Sequence, residues 1–432
     1  MSSFHRQKRE SISITRLLGR LAHSNAADIS ADEIASTFKL LLSHHVSHIQ
    51  SASFLSLLAY TGKDGQADII AKCAHYMREA ACQIDQSSLH NVVEARGEPK
   101  GNYNGGLCDI VGTGGDSHST FNVSTAASIV ASPILMMAKH GSRAHTSSCG
   151  SADLLKAIQP IAPKIDAITE NNIVEVYKET NYAFLFASNF HPVMAHINPL
   201  RKALGIRTIF NLMGPLVNPL EWAIEARVVG VAHQSLGPVF VEVLKEGGAR
   251  KALVVCGEEN LDEISCAGYT NCWRISEHEE MSVQDDGYST SSEDISQAPV
   301  QIDTFQLHPS DFGLSTHPLA SVLPGGNSKE NAMKLMSILR GEVSRDDPVL
   351  EFVLMNVAAL LVISGVCESD TPDAEPNGNV ITERGPGGGR WKEGLRRARW
   401  AVESGQALTC LERFIEVTNR LSSECQGRGS IW

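Results

Sequence analysis

The sequence predicts an α/β protein, with a small all-helical part over residues 1–100 and a larger α/β part over 101–432 built on a mainly parallel sheet. Three observations carry this. No convincing strand pattern appears before Cys108. From Leu107 onward, short apolar runs alternate with amphipathic segments of helical period. Between the two regions lies "ARGEPKGNYNGG" (95–106), polar and glycine-rich, which reads as a hinge.

The elements follow in order. "MSSFHRQKRESISITRLLGRL" is basic and contains serine, which leaves a transit peptide open; Glu10 and the lack of a cleavage-like site favour an ordinary leader helix. "SADEIASTFKLLL" opens with Ser30 and Glu33 at capping-box spacing. Ile34, Phe38, Leu41 and Leu42 then share one helical face. "ADIIAKCAHYMREAACQI" repeats that style. "LCDIVG", "ILMMAKHG", "FLFAS", "ARVVGVA" and "KALVVCGE" read as strands, and "DLLKAI", "NIVEVYKET", "LGPVFVEVLKEGGA" and "ENAMKLMSILRGE" as helices. "FVLMNVAALLVISGV" (352–366) is too short for a membrane span and carries Asn356 and Ser364, so it reads as a buried helix. Two stretches interrupt the alternation. Residues 276–299 are acidic and serine-rich, a mobile surface insertion. Residues 368–394 are loop-like.

Composition narrows the function classes. Apolar residues make up 42% and charged residues 20%, the balance of a soluble globular protein. A net charge of −12 argues against a nucleic-acid partner, which wants a basic face. It leaves room for a locally positive phosphate pocket. No stretch is long enough for a membrane helix. Ten scattered cysteines form no C-x-x-C, which suits free thiols in a reducing, cytoplasmic compartment.

The chemistry gathers in the stretches after the strands. Gly112-Thr113-Gly114-Gly115-Asp116 matches neither the dinucleotide fingerprint, since residue 117 is Ser, nor the P-loop, since no Gly-Lys-Ser/Thr follows. A plain glycine turn and an anion cradle both stay open for it. Asn122-Val123-Ser124-Thr125 precedes "AASIVA"; Ser124 or Thr125 suits a helix N-cap, and a helix N-terminus also receives phosphate. Lys139, His140, Ser142 and Arg143 surround Gly141 and lead into "AHTSSCGSADLL", where hydroxyls are dense. Lone basic residues are usually solvated, but this setting suits a second phosphate cradle. Asp262-Glu263 alone would be ordinary surface charge. Beside phosphate loops the pair suits magnesium, which takes one or two carboxylates plus phosphate oxygens and water. In open α/β sheets, such stretches converge outside the carboxyl ends of the strands. The residues therefore point to magnesium-assisted handling of a polyphosphorylated small molecule.

Taken together, GTGGD, NVST, KHG-x-R, "SSCGSADLL", "FHPVMAHINPLRKALGIRTIFNLMGPLVNP" and "LDEIS" resemble the anthranilate phosphoribosyltransferase family. The likeness spans nearly all of 107–365 and resumes at "RWKEGLRRARWAVESGQA". The resemblance implies a helical domain hinged to an α/β domain, a homodimer through the helical part, and transfer of phosphoribose from phosphoribosyl pyrophosphate to anthranilate in tryptophan biosynthesis. It implies that Gly112, Gly115, Asp116, Thr120, Asn122, Ser124 and Thr125 hold phosphoribosyl pyrophosphate. A second cradle, Lys139 through Ser147 with Arg143 in it, would join them, with Ser151 beyond. Ser124, Asp262 and Glu263 would bind magnesium, two ions in all. Arg201 would face the anthranilate carboxylate, with Gly112, His140, Ser142 and Pro215 around the ring. No residue is implied as a general acid or base. The family usually has Asn where Ser142 stands, and Gly before the acidic pair where this chain has Asn260-Leu261. Two alternatives stay open: a paralogue using another aminobenzoate, and a pyrimidine nucleoside phosphorylase of the same fold.

Overall fold

The computed structural model describes residues 12–23, 28–144, 149–277, 299–371 and 379–428. Five helices precede the first strand: α1 (Thr15–Ala22), α2 (Ala31–Leu42), α3 (His48–Thr61), α4 (Ala67–Glu79) and α5 (Gln86–Arg96). Ser30 caps α2 by accepting the Glu33 N–H at 3.2 Å. The expected reciprocal half of the box does not form, because the Glu33 carboxylate pairs with Arg20 at 2.6 Å. Ile34, Phe38, Leu41 and Leu42 are all buried, as their spacing predicts.

The rest alternates. β1 (Leu107–Gly112), α6 (Val123–Ala131), β2 (Met136–Gly141), α7 (Ser151–Lys156), α8 (Ile173–Glu179) and β3 (Tyr182–Phe186) come first. Three helices follow: α9 (Ala187–Phe190), α10 (Met194–Leu204) and α11 (Phe210–Met213). Then come β4 (Ile224–Gly230), α12 (Leu236–Glu246), β5 (Lys251–Gly257), β6 (Thr270–Glu277) and β7 (Val300–Leu307). Helices α13 (Ser328–Leu339), α14 (Pro348–Ser364), α15 (Trp391–Glu403) and α16 (Gln406–Arg428) complete the chain. The sheet order is β3-β2-β1-β4-β5-β6-β7. The first five strands are mutually parallel, and β6 and β7 add an antiparallel edge. The five expected strands are all present; the edge pair, half-exposed with alternating burial, went unmarked. α14 is wholly buried apart from its first residue, as its apolar run predicts. No helix among the described residues is long and apolar enough to cross a membrane.

Two cores form. One fills the α/β part around α6 and α14. The other joins α1–α4 to Ile197, Phe210 and Met213 and to the sheet residues Val229 and Val254. Helices α10 and α11 thus return to the helical side, which carries Arg201 and Pro215 there. The glycine-rich linker is pinned along its second half. Glu225 accepts Asn104 N–H and Gly106 N–H, each at 2.8 Å, and pairs with Lys251 at 2.6 Å. Gly97 and Gly105 touch so closely that a Cβ on either would collide with the other's backbone. Of the two expected insertions, 278–298 and 372–378 lie outside the described residues. Residues 391–394 are not loop but the first turn of α15, because Trp391 is buried against Phe312 at 5.7 Å.

Candidate active site

β1, β4 and β5 are neighbours, so the turns after them meet at one end of the sheet. Thr113 N–H donates to Gly230 O at 2.9 Å, and Ala232 N–H donates to the Thr113 hydroxyl at 3.1 Å. Asp262 lies across both strand ends. A Cβ on Gly230 would collide with the Asp262 carbonyl, and one on Gly112 with its carboxylate. Gly114 and Gly115 have φ of +65° and +80°, a region L-residues avoid. Their turn aims the Gly114 N–H at the Asp262 carboxylate, 2.7 Å away. Gly230→Ala is therefore expected to displace the Asp262 turn. A shift of about 1 Å in such a site costs on the order of a hundredfold in rate. Steady-state kinetics of a variant with wild-type circular dichroism checks this; unchanged kcat/KM would refute it.

Asp116 and Glu263 complete a carboxylate group with Asp262. Thr120 donates its hydroxyl to Glu263 at 3.3 Å. Burial and the Asp262 charge push the Asp116 carboxyl up to about 7, and the two share a hydrogen bond. Burial, then Asp262 and Asp116, push Glu263 well above the usual carboxylate range. Lys139 and His118 offset only part of this crowding, and crowded carboxylates of this kind are what a hard cation relieves. Among the described residues, no three such side chains close on a single point as a protein-only cage would. The donor set therefore fits magnesium that takes its remaining ligands from phosphate and water.

The second group of loops sits beside this one. The N-cap of α6 is Asn122, not Ser124 or Thr125. Its side-chain amide donates to Cys149 O at 2.8 Å instead of capping the helix. Val123 N–H donates to Phe121 O at 2.7 Å, so it is the next N–H groups of the first turn, those of Ser124 and Thr125, that face an anion site. Ser124 and Thr125 occupy that first turn, and Thr125 donates to the Ser151 hydroxyl at 2.8 Å. Lys139 and His140 are the last residues before Gly141 in β2, both buried. Arg143 is exposed. The Ser142 hydroxyl donates to Arg143 O at 3.1 Å, so it is engaged locally. Ser147 lies outside the described residues.

His140 also faces the helical side. Its Nδ1 lies 3.3 Å from Gly214 O, next to buried Pro215. Its Nε2 is buried with no hydrogen bond. His191 meets it edge-on, with ring centroids 5.3 Å apart. Burial holds His140 well below its ordinary value and lowers His191 to about 4. Both stay neutral, which suits an aromatic ligand. Each contributes stability that is present above the unfolded value near 6.5 and lost as pH falls toward 4. His191→Gln is thus expected to flatten the fall of melting temperature between pH 6.5 and 4; an unaltered slope would refute it. Arg201 is half-buried on α10, stacked on Phe210 at 5.6 Å. It has no carboxylate partner among the described residues, and burial lowers its pKa. It makes no direct bond to His140 or Pro215.

Three neighbours escaped the sequence reading. Arg207, from the helical side, donates to Gly115 O at 3.4 Å. His191 lies under His140, and Asp109 is buried in β1, the strand beside β2, where its carboxylate accepts from Asn218 at 2.9 Å. Arg207 and His191 stand inside the long string ending in "VNP", and nothing local in a lone Arg or His marks its partner.

A family model described as "Glycosyl transferase family, a/b domain" matches residues 104–408, and its "helical bundle domain" counterpart matches 15–81. The chain is 35% identical to anthranilate phosphoribosyltransferase of Schizosaccharomyces pombe, over 91% of this chain and 94% of that protein. It is 33% identical to the Saccharomyces cerevisiae enzyme of that name over 86% of each chain. A solved structure of the latter, in complex with PRPP and Mg, has a TM-score of 0.74 at 28% identity, covering 94% of this chain and 99% of that one. Another, with 4-fluoroanthranilate, has a TM-score of 0.71 at 27% identity, covering 94% and 97%. With a match of that length, from the helical bundle through the strand-end turns, the chain belongs to the anthranilate phosphoribosyltransferase family.

Proposed function

We propose that this chain transfers the phosphoribosyl group of phosphoribosyl pyrophosphate to the amine of anthranilate, releasing pyrophosphate, as a step of tryptophan biosynthesis. The observation that carries this is the meeting of the Gly112–Asp116 turn with the Asp262-Glu263 pair, beside the buried His140 and Pro215. The glycine turn, the α6 N-terminus and Lys139 bind and orient the pyrophosphate through N–H groups and one ammonium. Arg143 and Ser151 extend that cradle. Asp262 and Glu263, with the Ser124 hydroxyl, hold two magnesium ions. Magnesium, when bound, neutralises charge developing on the leaving pyrophosphate.

Arg201 receives the anthranilate carboxylate, and His140, Ser142 and Pro215 border its ring. The aniline-type amine is neutral at physiological pH, so its nitrogen attacks the anomeric carbon as the bond to pyrophosphate breaks, and the proton it then sheds passes to the departing pyrophosphate or water rather than to a protein base. The two cradles supply alignment. Arg207 spans from the helical side to the Gly115 turn and helps exclude water that would hydrolyse the sugar. The chain acts as a homodimer through the helical part; on α3, Ile49 is 80% and Tyr60 86% exposed in the single chain. Its described cysteines are free thiols, which suits the cytoplasm.

The test is loss of anthranilate fluorescence with phosphoribosyl pyrophosphate and magnesium, alongside a panel of ring-substituted aminobenzoates. Turnover of anthranilate is expected. Turnover of a different aminobenzoate alone, or phosphate-dependent nucleoside cleavage instead, would overturn the reading.

A further inference from the structure

We infer that Arg78 is a positioning residue for the acceptor side, holding from α4 the turn that carries Pro215. The inference rests on the reading of Pro215 and His140 as the border of the anthranilate ring. Residues 215–218 are buried, so their backbone carbonyls need partners away from water. The His140 ring, on β2, lies 3.3 Å from Gly214 O, and that of His191, just after α9, lies 2.9 Å from Val217 O. The Asn218 amide ties the end of the segment to Ala138 O on β2 at 2.8 Å. Leu216 O is the carbonyl that its own turn cannot serve. The N–H three residues on does not exist, because residue 219 is proline. The next, that of Leu220, is spent on Asn218 Oδ1 at 2.9 Å. Arg78 Nη1 donates to Leu216 O instead, at 2.7 Å and from 138 residues away.

Among these contacts, Arg78 is the one that comes from the N-terminal helices. It stands in the last turn of α4, whose Cys73, Ala74 and Met77 are buried in the helical core, so its backbone is firmly placed. Glu221, which borders the same cavity as Arg78, pairs with Arg227 at 2.9 Å. The guanidinium therefore acts as a hydrogen-bond donor rather than as half of an ion pair. Leu216 and Val217 also pack into the helical core, but apolar contact leaves a turn free to rotate or slide, whereas a hydrogen bond fixes the direction of a carbonyl. The cavity that Arg78 borders, about 420 Å³, lies between α4 and α12. Without the guanidinium, water from that cavity can satisfy Leu216 O, but it cannot tie the carbonyl to α4. Loss of the bond thus costs the placement of Pro215 more than it costs stability. Through it, the seating of the helical part is transmitted to the ring border one residue away.

The test is initial-rate kinetics of full-length wild type, Arg78→Met, Arg78→Lys and Pro215→Ala, with each substrate varied in turn and melting temperatures measured alongside. Arg78→Met keeps the apolar stem and removes every donor. Its KM for anthranilate is expected to rise about tenfold, while that for phosphoribosyl pyrophosphate changes about twofold or less. Arg78→Lys keeps a donor on a stem of similar reach and is expected to recover most of the loss. A purely structural role would lower melting temperature and the active fraction, hence kcat, and leave both KM values alone. That result, an equal rise in both constants, or a lysine variant as impaired as the methionine one would overturn the inference. If Arg78→Met does not fold, Arg78→Gln, whose shorter amide stops short of Leu216, takes its place under the same criteria. Pro215→Ala separates the two readings. An unchanged anthranilate KM in Pro215→Ala removes the ring border and the inference with it, whereas a raised one there beside an unaffected Arg78→Met removes only the role of Arg78.

Discussion

Asp262→Asn combined with Glu263→Gln is expected to lower kcat/KM by about three orders of magnitude at millimolar magnesium, or ~4 kcal/mol of barrier. Both side chains stand where the β1 and β5 turns meet, and the double change removes the anionic oxygens proposed to hold the cation against the leaving pyrophosphate. The same change should make the metal-free protein sturdier. Asp116, pushed up to about 7 by burial and by Asp262, keeps a proton in the folded chain that the unfolded chain releases near its ordinary 3.8. Its contribution is complete below that ordinary value and is lost as pH rises through 7. Wild type without metal should therefore lose melting temperature from pH 5 to 8, and the double variant should lose less. Kinetics and thermal melts on the same preparations check both halves. Near-normal turnover with an unshifted magnesium optimum would reject the metal assignment.

Arg201→Ala is expected to raise the KM for anthranilate by about 10- to 100-fold, while that for phosphoribosyl pyrophosphate changes about twofold or less. A guanidinium binds a carboxylate through two parallel hydrogen bonds, worth roughly 1.5–3 kcal/mol. Here the guanidinium lies over the Phe210 ring, 5.6 Å from its centre, half-buried, and without an acidic partner among the described residues. Such a group is preorganised to receive a carboxylate from a ligand. Arg201→Lys should restore part of the loss, since an ammonium keeps the charge but not the fork. Initial-rate kinetics with each substrate varied in turn gives the answer. Equal, small changes in both constants would leave Arg201 as a residue of the α10 surface.

Much of the glycine-turn side of the candidate site is legible in the sequence because each of its parts is local. Gly112, Gly114 and Gly115 announce a turn that needs unusual backbone angles, and φ at Gly114 and Gly115 is positive. Thr120 and Thr125 were placed in the site by motif, and their hydroxyls reach Glu263 and Ser151. The acceptor side was harder. Arg201 and Pro215, and the ring-facing role of His140, can be picked out only by resemblance, because their neighbourhood depends on α10 and α11 folding back onto the helical part. The helix cap lies at Asn122, two to three residues before the Ser124 or Thr125 that the local pattern predicts, and Asn122 spends its amide on Cys149, a partner no local pattern shows.

What the sequence determined by itself is whatever periodicity, turn chemistry and apolar runs encode within about ten residues: the helical start, the five parallel strands, buried α14 and the glycine turn. What only the tertiary structure decided is which distant groups share a low-dielectric space. Asp109 and Asn218 are 109 residues apart in sequence and share a buried hydrogen bond, and Asp116 and Asp262 are joined across the β1 and β5 ends. The physical reason is that hydrophobic pattern is a property of the local chain. Charge balance and desolvation arise only when strands remote in sequence are brought together and water is excluded between them.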